Sequence, residues 1–233
     1  MKISESPDFL ESIANHPRVF PHVSMAGQTH LTLQSSWDAC VGIEFDTGGW
    51  IFHQLMMGYY EVHTLFLPKS KGVVEKAREA LHYMFTATDA LEIVTKVPAD
   101  LPHALALAKA GGFTERFTVN GAWKRDTGVV DVHYLGLTLD EWARSNPELI
   151  ARGDAFHAQL GEAKDHEDDP THDAYAGLGI ACWEAGQPEK GVWLYNRWAL
   201  FAGYRTLEYQ DGAVEFDGIR LSLKNGELNV ETH

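Results

Sequence analysis

The stretch Tyr60-Glu61-Val62-His63-Thr64-Leu65-Phe66-Leu67-Pro68-Lys69-Ser70-Lys71-Gly72-Val73 decides how the rest of the chain is read. Its aromatic and β-branched residues from Tyr60 to Leu67 make a strand, and Pro68, which cannot donate to a ladder, ends it. After Gly72 the period changes. Val73, Ala77, Ala80, Leu81 and Met84 recur at spacings of three and four, with Glu75, Lys76, Arg78, Glu79 and His82 largely on the other side, so a helix follows. A helix start carries backbone N–H groups without acceptors and the positive end of the helix dipole. A glycine there lets phosphate oxygens reach the backbone, and Lys69 and Lys71 add charge. Strand, basic glycine loop and helix together make a cradle for a pyrophosphate. The loop matches neither a Walker A sequence nor the dinucleotide fingerprint. The cluster Lys69, Lys71, Lys76 and Arg78 also suits a solvated helix face.

On the N-terminal side, Asp8 to Phe20 reads as a short helix capped by Asp8 and stopped by Pro17, and Leu31-Thr32-Leu33 as a strand. Cys40–Phe45 and Gly49–Met57 are β-rich runs joined by the turn signal Asp46-Thr47-Gly48-Gly49. On the C-terminal side, Leu91–Val97 is a strand, and Pro102 opens a helix from His103 to Ala110 that Gly111-Gly112 closes. Phe113–Lys124 and Val129–Leu137 pair across Arg125-Asp126-Thr127-Gly128. This order predicts an α+β fold, a mixed and mostly antiparallel sheet flanked by helices, over residues 1–146.

Past Trp142 the pattern changes, and residues 147–233 are expected to form an appended α+β module of unknown role. Pro147–Leu160 is helical, and the acidic stretch Asp165-His166-Glu167-Asp168-Asp169 follows. Asp169-Pro170 opens a helix to Ala185, and Pro188 another to Ala202 that Gly203 closes. This helical hairpin resembles one tetratricopeptide unit, with Trp183 and Trp193 for its interface, too few to stack as an array. Thr206 to Val230 alternates as hairpins do, around Asp211-Gly212 and Asn225-Gly226.

The 233 residues are 45% apolar and 22% charged, a balance that sets disorder aside. No apolar run reaches the roughly 18 residues of a membrane span, and the first residues lack a secretory core. Two cysteines, Cys40 and Cys182, make no disulfide framework and suit a reduced cytosol. The formal charge of −14, net −5 over residues 1–146 and −9 over 147–233, repels phosphate backbones and sets tight non-specific nucleic-acid binding aside. His157, Asp165, His166, Asp168 and His172 match no zinc spacing, so no metal is expected. Cys40 is read as packing rather than as a nucleophile, and Trp37 and Trp50 as core residues that also suit a substrate cleft.

The succession Tyr60 to Pro68, Lys69-Ser70-Lys71-Gly72, an Ala-rich helix, a strand, and Ala104 through Gly112-Phe113 resembles the GNAT acyltransferase superfamily. The segments Ile13-Ala14-Asn15-His16-Pro17-Arg18-Val19 and Tyr134-Leu135-Gly136-Leu137 to Trp142 look like its bacteriophage variants. The resemblance covers residues 5–146. It implies a sheet that splays open after its fourth strand, with acetyl-CoA or another acyl-CoA in the gap. The pyrophosphate would lie on Lys69, Ser70, Lys71, Gly72, Val73 and Val74. Backbone groups at Leu65, Phe66 and Leu67 would bind the pantetheine and the developing oxyanion. Val74 replaces the usual last Gly or Ala of the loop, the Asn before the second helix is absent, and Leu107 stands near the Tyr that often protonates the thiolate.

Acyl transfer to an amine needs a proton acceptor. Strand alternation puts Glu61 and His63 on one face, about 6.6 Å apart along the strand, and His53 on the preceding strand can meet them. A carboxylate beside the imidazole is expected to raise its pKa toward neutrality. The resemblance thus implies an N-acyltransferase for a small amine or an amine-bearing nucleotide or modified DNA base, with a homodimer as a task for the tail. It would work in the cytoplasm, the host's if the gene is a phage's. The alternative is a non-catalytic assembly or interaction protein on the same fold.

Overall fold

Alternating apolar residues and turn residues lay down the strands where the sequence marks them. The computed structural model describes residues 1–159, 170–202, 206–216, 219–224 and 227–232. The chain runs β1 (Lys2–Ile3), α1 (Asp8–Ala14), α2 (Phe20–Val23), a 3₁₀ turn (Gln34–Ala39), β2 (Cys40–Phe45), β3 (Gly48–Met56) and β4 (Tyr59–Phe66). Next come α3 (Val73–Ala87), β5 (Glu92–Pro98), α4 (Pro102–Ala110), β6 (Thr114–Arg125) and β7 (Gly128–Thr138). The remainder is α5 (Leu139–Arg144), α6 (Pro147–Gln159), α7 (Pro170–Glu184), α8 (Pro188–Ala202), β8 (Tyr209–Gln210), β9 (Ala213–Phe216), β10 (Ile219–Lys224) and β11 (Glu227–Thr232). Two compact units result, Met1–Met84 with Asp89–Thr138 and Phe85–Thr88 with Leu139–His233.

The first unit is a seven-stranded sheet in the order β1-β2-β3-β4-β5-β7-β6. Every pairing is antiparallel except that of β4 with β5. This is the expected α+β arrangement, mixed and mostly antiparallel. On one face α1 buries Leu10, Ile13 and Ala14 against Ile51 and Leu65. Ala77, Ala80, Leu81 and Met84 of α3 are buried at the three-and-four spacing read from the sequence. Gly48 and Gly49 permit the tight β2–β3 hairpin, since a Cβ on them would lie 2.1 Å from the Leu65 oxygen and 2.0 Å from the Ile43 oxygen respectively.

The N-terminal expectations need correction. The first helix stops at Ala14, short of Pro17, and Asp8 is its first residue rather than its cap. Leu31-Thr32-Leu33 is not a strand but irregular chain, and Leu33 already takes a helical backbone conformation (φ −101°, ψ −15°) as it enters the 3₁₀ turn. Side chains, not a neighbouring strand, meet its backbone. Asn15 Nδ2 donates to the Leu31 oxygen at 2.7 Å, and the Leu31 N–H donates to Asn15 Oδ1 at 2.8 Å. The Leu33 N–H donates to Glu11 Oε2 at 2.7 Å. One amide side chain reproduces what a strand edge would offer. Further back on this arm, Arg125 Nη1 donates to the carbonyl oxygens of Pro21 and Ser24, both at 3.0 Å, and so satisfies acceptors around α2.

In the second unit, α6 and α7 approach to backbone contact. A Cβ on Gly153 would lie 2.0 Å from the Asp173 oxygen, and one on Gly177 would lie 2.0 Å from the Leu149 oxygen. Trp183 and Val192 pack with Val214 and Leu221 of the four-stranded sheet β11-β10-β9-β8. Trp193 is half exposed and takes no such place, because it lies one residue off that stripe of α8. Asp211 and Gly212 both take positive φ, 51° and 80°, as a two-residue hairpin of this twist requires. Asp165, His166, Glu167, Asp168, Asp169, Gly203, Asn225 and Gly226 lie outside the described residues. Among those described, no helix is long and apolar enough to cross a membrane.

Replacing Asn15 by Ala removes both bonds to Leu31 and leaves its backbone groups unmatched. The variant is expected to lose about 1–3 kcal/mol of stability in urea titration.

Candidate functional site

The parallel ladder of β4 with β5 is short. It joins Tyr59–Glu61 to Glu92–Val94 and stops. The last link is Thr95 Oγ1 donating to the Val62 oxygen at 3.1 Å. Beyond it β4 stays with β3 as far as Phe66, and β5 stays with β7 as far as Pro98. Each half of the sheet remains paired while the seam between them opens.

Alternation fixes which backbone groups face that seam. The Leu67 N–H donates to the Thr47 oxygen at 2.9 Å, toward β3, while the Val62 oxygen meets β5. In an antiparallel strand both polar groups of a residue point to one side, and neighbours alternate. Thr64 and Phe66 therefore present N–H and C=O to the opening, and Leu65 presents its own to β3. Of the expected trio Leu65, Phe66 and Leu67, only Phe66 is suitably placed, and Thr64 joins it.

A cavity of about 330 Å³ fills the opening. Thr64 and Leu65 form one wall, Thr95, Lys96 and Val97 another, with Ala77 and Ala80 of α3 and Leu107 of α4 closing it. Leu31, Thr32 and Leu33, the arm held by Asn15, complete the lining. Trp50 lines it as expected of a cleft residue; Trp37 does not, being packed on Gly42.

The loop between β4 and α3 coils through Lys69 at φ 69° and Gly72 at φ 63°. The left-handed conformation at Gly72 is natural for glycine, and a Cβ there would meet only Glu75 Oε2, at 3.7 Å. Ser70 turns inward, its N–H and Oγ both donating to the Leu67 oxygen. The first helical bond is Lys76 N–H to the Gly72 oxygen at 3.0 Å, so the N–H groups of Val73, Val74 and Glu75 have no helical acceptor. Lys69 and Lys71 are exposed and make no ion pair among the described residues. Lys76 is committed elsewhere, to Asp46 at 2.5 Å. Val74 is half-buried and does not line the cavity, so its branched side chain does not plug the opening.

At the point where the ladder ends, Glu61 is 7% exposed and Lys96 Nζ donates to its Oε2 at 2.7 Å. His63 Nε2 lies 3.8 Å from Oε1, and His53 is the residue directly opposite Glu61 on β3. Strand alternation thus brings the expected trio to one face. The direction of the His63 shift is the reverse of the expectation. The His63 side chain is 52% exposed and opens onto the cavity. Desolvation by the protein around it, opposed by Glu61 and aided by Lys96 and His53, holds its pKa below the usual 6.5. Lys96 and Thr95 went unread in the sequence, although a lysine in the otherwise apolar run Leu91–Val97 is the signal that marks it. Cys40 also lines the cavity, but its Sγ is bonded to the Ser36 oxygen at 3.2 Å and burial pushes its thiol pKa up, so it stays protonated. His157 bonds Asp173 at 2.8 Å in the second unit, and no group able to hold a metal occurs among the described residues.

No family model matches the sequence, and no curated protein matches it either. Solved structures are similar to it in fold. The spermidine N-acetyltransferase from Vibrio cholerae in complex with CoA and spermine superposes with a TM-score of 0.51 at 16% identity, over 60% of this chain and 95% of that one. A chimera of the Vibrio cholerae enzyme with hSSAT gives 0.50 at 16% identity over the same shares. The likeness is one of fold.

Removing the Lys96 cation leaves Glu61 facing His63 alone. Lys96→Met is expected to raise the His63 pKa relative to the parent protein, read by NMR titration of the imidazole C–H resonances. An unchanged value would mean that burial by itself sets it.

Proposed function

We propose that residues 1–146 form an acyl-CoA-dependent N-acyltransferase acting on an amine, with residues 147–233 as an appended module. The observation that carries this reading is the opening between β4 and β5, set beside a lysine-flanked helix start whose first N–H groups have no helical acceptor. The chain resembles the GNAT fold in both respects, and the neighbours named above act on amines. The phage-type variant and the DNA-base acceptor draw no support from them.

The residues present fit the cofactor. N–H groups at Gly72, Val73 and Val74, with Lys69 and Lys71 alongside, would hold its diphosphate, and Thr64 and Phe66 would bond its pantetheine arm. When bound, acetyl-CoA supplies an acyl thioester, whose exchange with an amine gives an amide and a free thiol. The backbone N–H groups of Thr64 and Phe66 are preorganised donors for charge developing on an acyl oxygen. His63, uncharged at neutral pH because its pKa lies below 6.5, accepts the proton that the amine gives up. Glu61, fixed by Lys96, orients and stabilises the imidazolium so formed. No tyrosine lines the cavity among the described residues, and the proton taken by His63 is available for the thiolate.

A second reading, a binding protein without catalysis, is favoured by the Glu75 carboxylate standing beside Gly72, where it repels an anion. Calorimetry separates the two. Acetyl-CoA is expected to bind, and Lys71→Glu to weaken it by roughly tenfold while the protein stays folded. Absence of heat at several hundred micromolar ligand would leave only the second reading.

The pH profile follows from the sign of the shift. kcat/KM is expected to hold at neutral pH and to fall as pH drops below 6.5 through the lowered His63 pKa. His63→Gln should abolish that acidic limb and reduce kcat by about 10²-fold.

A further inference from the structure

The cavity lining is chemically one-sided, and we infer from it that the acceptor is an apolar amine, aromatic or aliphatic in body, with no cationic group besides the reacting nitrogen. This rests on the acyl-transfer reading and names its substrate class. No Asp or Glu lines the cavity among the described residues. The nearest carboxylate, Glu61, is buried beneath the lining, with Oε2 held by Lys96 at 2.7 Å and Oε1 facing His63 at 3.8 Å. Nothing is left to compensate a second ammonium.

What the cavity does offer is one ammonium, Lys96, imidazoles at His22, His53 and His63, and a mostly apolar wall. A polyamine entering it would shed water from several charges with no acid to receive them, and would bring like charge toward Lys96. An apolar body loses only its unfavourable contact with water, and packs on Leu31, Leu33, Ile51, Leu107, Phe113 and Trp50. The net charge of −14 attracts cations at long range, so the discrimination lies inside the cavity and not in the approach.

The lowered pKa of His63 fits the same class. A weak base takes a proton most readily from a weakly basic amine, and desolvation by an apolar wall lowers the basicity of the nitrogen it surrounds.

The test uses the purified full chain with acetyl-CoA at neutral pH, following thiol release with phenethylamine and with spermidine, beside calorimetry of acetyl-CoA alone. Phenethylamine is expected to give a kcat/KM about tenfold or more above that of spermidine. Thr32→Glu places an acid at an exposed position on the lining arm, and is expected to shrink or invert that ratio. A ratio at or below one in the parent protein overturns the inference and leaves the transferase reading standing. So does acetyl-CoA binding with turnover of neither amine, or a ratio indifferent to Thr32→Glu. If acetyl-CoA does not bind, the transferase reading falls and takes this inference with it.

Discussion

The first unit depends on a ladder that stops. After Glu61 and Val94 the two central strands part, and the hydrogen bonds that a continued sheet would form are forgone on both sides. Such a seam survives only because each strand keeps its outer partner, β3 for one and β7 for the other. The ion pair of Glu61 with Lys96 spans the fork at its narrow end. A carboxylate that buried carries a large desolvation cost, which its close contact with the ammonium offsets. The pair is thus a structural strut whose by-product is an electrostatic setting for His63. Lys96 opposes the pull of Glu61 on the imidazole, and desolvation then decides the direction of the shift.

Much of this architecture was legible because its signals are local. The spacing of Val73, Ala77, Ala80, Leu81 and Met84, the glycines at 48 and 49, the Gly111-Gly112 stop and the Asp211-Gly212 turn each act within a few residues. The face shared by Glu61 and His63 follows from strand alternation alone. What escaped the sequence is relational. The irregular piece at Leu31 is matched by an amide sixteen positions earlier, which no period reveals. The amide parity of β4 depends on which residue reaches Thr47, and that is set by the hairpin geometry at Gly48. Lys96 acts on His63 from a strand more than thirty residues away, so a reading confined to β4 gave the right neighbours and the wrong sign.

The loop before α3 shows the opposite balance. Its residues were conspicuous in the sequence, yet their competence rests on conformation. Left-handed Lys69 and Gly72 turn the chain sharply. The helix then begins with N–H groups that have no helical acceptor, and Glu75 contributes a carboxylate where the local potential is positive. At this helix start the positive end of the dipole meets a carboxylate on the helix's own third residue, so the local field is partly cancelled from within.

The arm from residue 15 to residue 33 has a property that follows from how it is fastened. Asn15, Glu11 and Arg125 all grip main-chain atoms of that segment, at Leu31, Leu33, Pro21 and Ser24. None of those bonds reads the identity of the side chains between them. The backbone of the segment is therefore fastened by side chains outside it, while its own Val19, Val23, Leu31 and Leu33 add a second hold by packing into the core. Of the three residues at 31–33 only Thr32 is exposed and absent from that packing, so it is the position where a new side chain alters the chamber's wall while the floor beneath stays as it is.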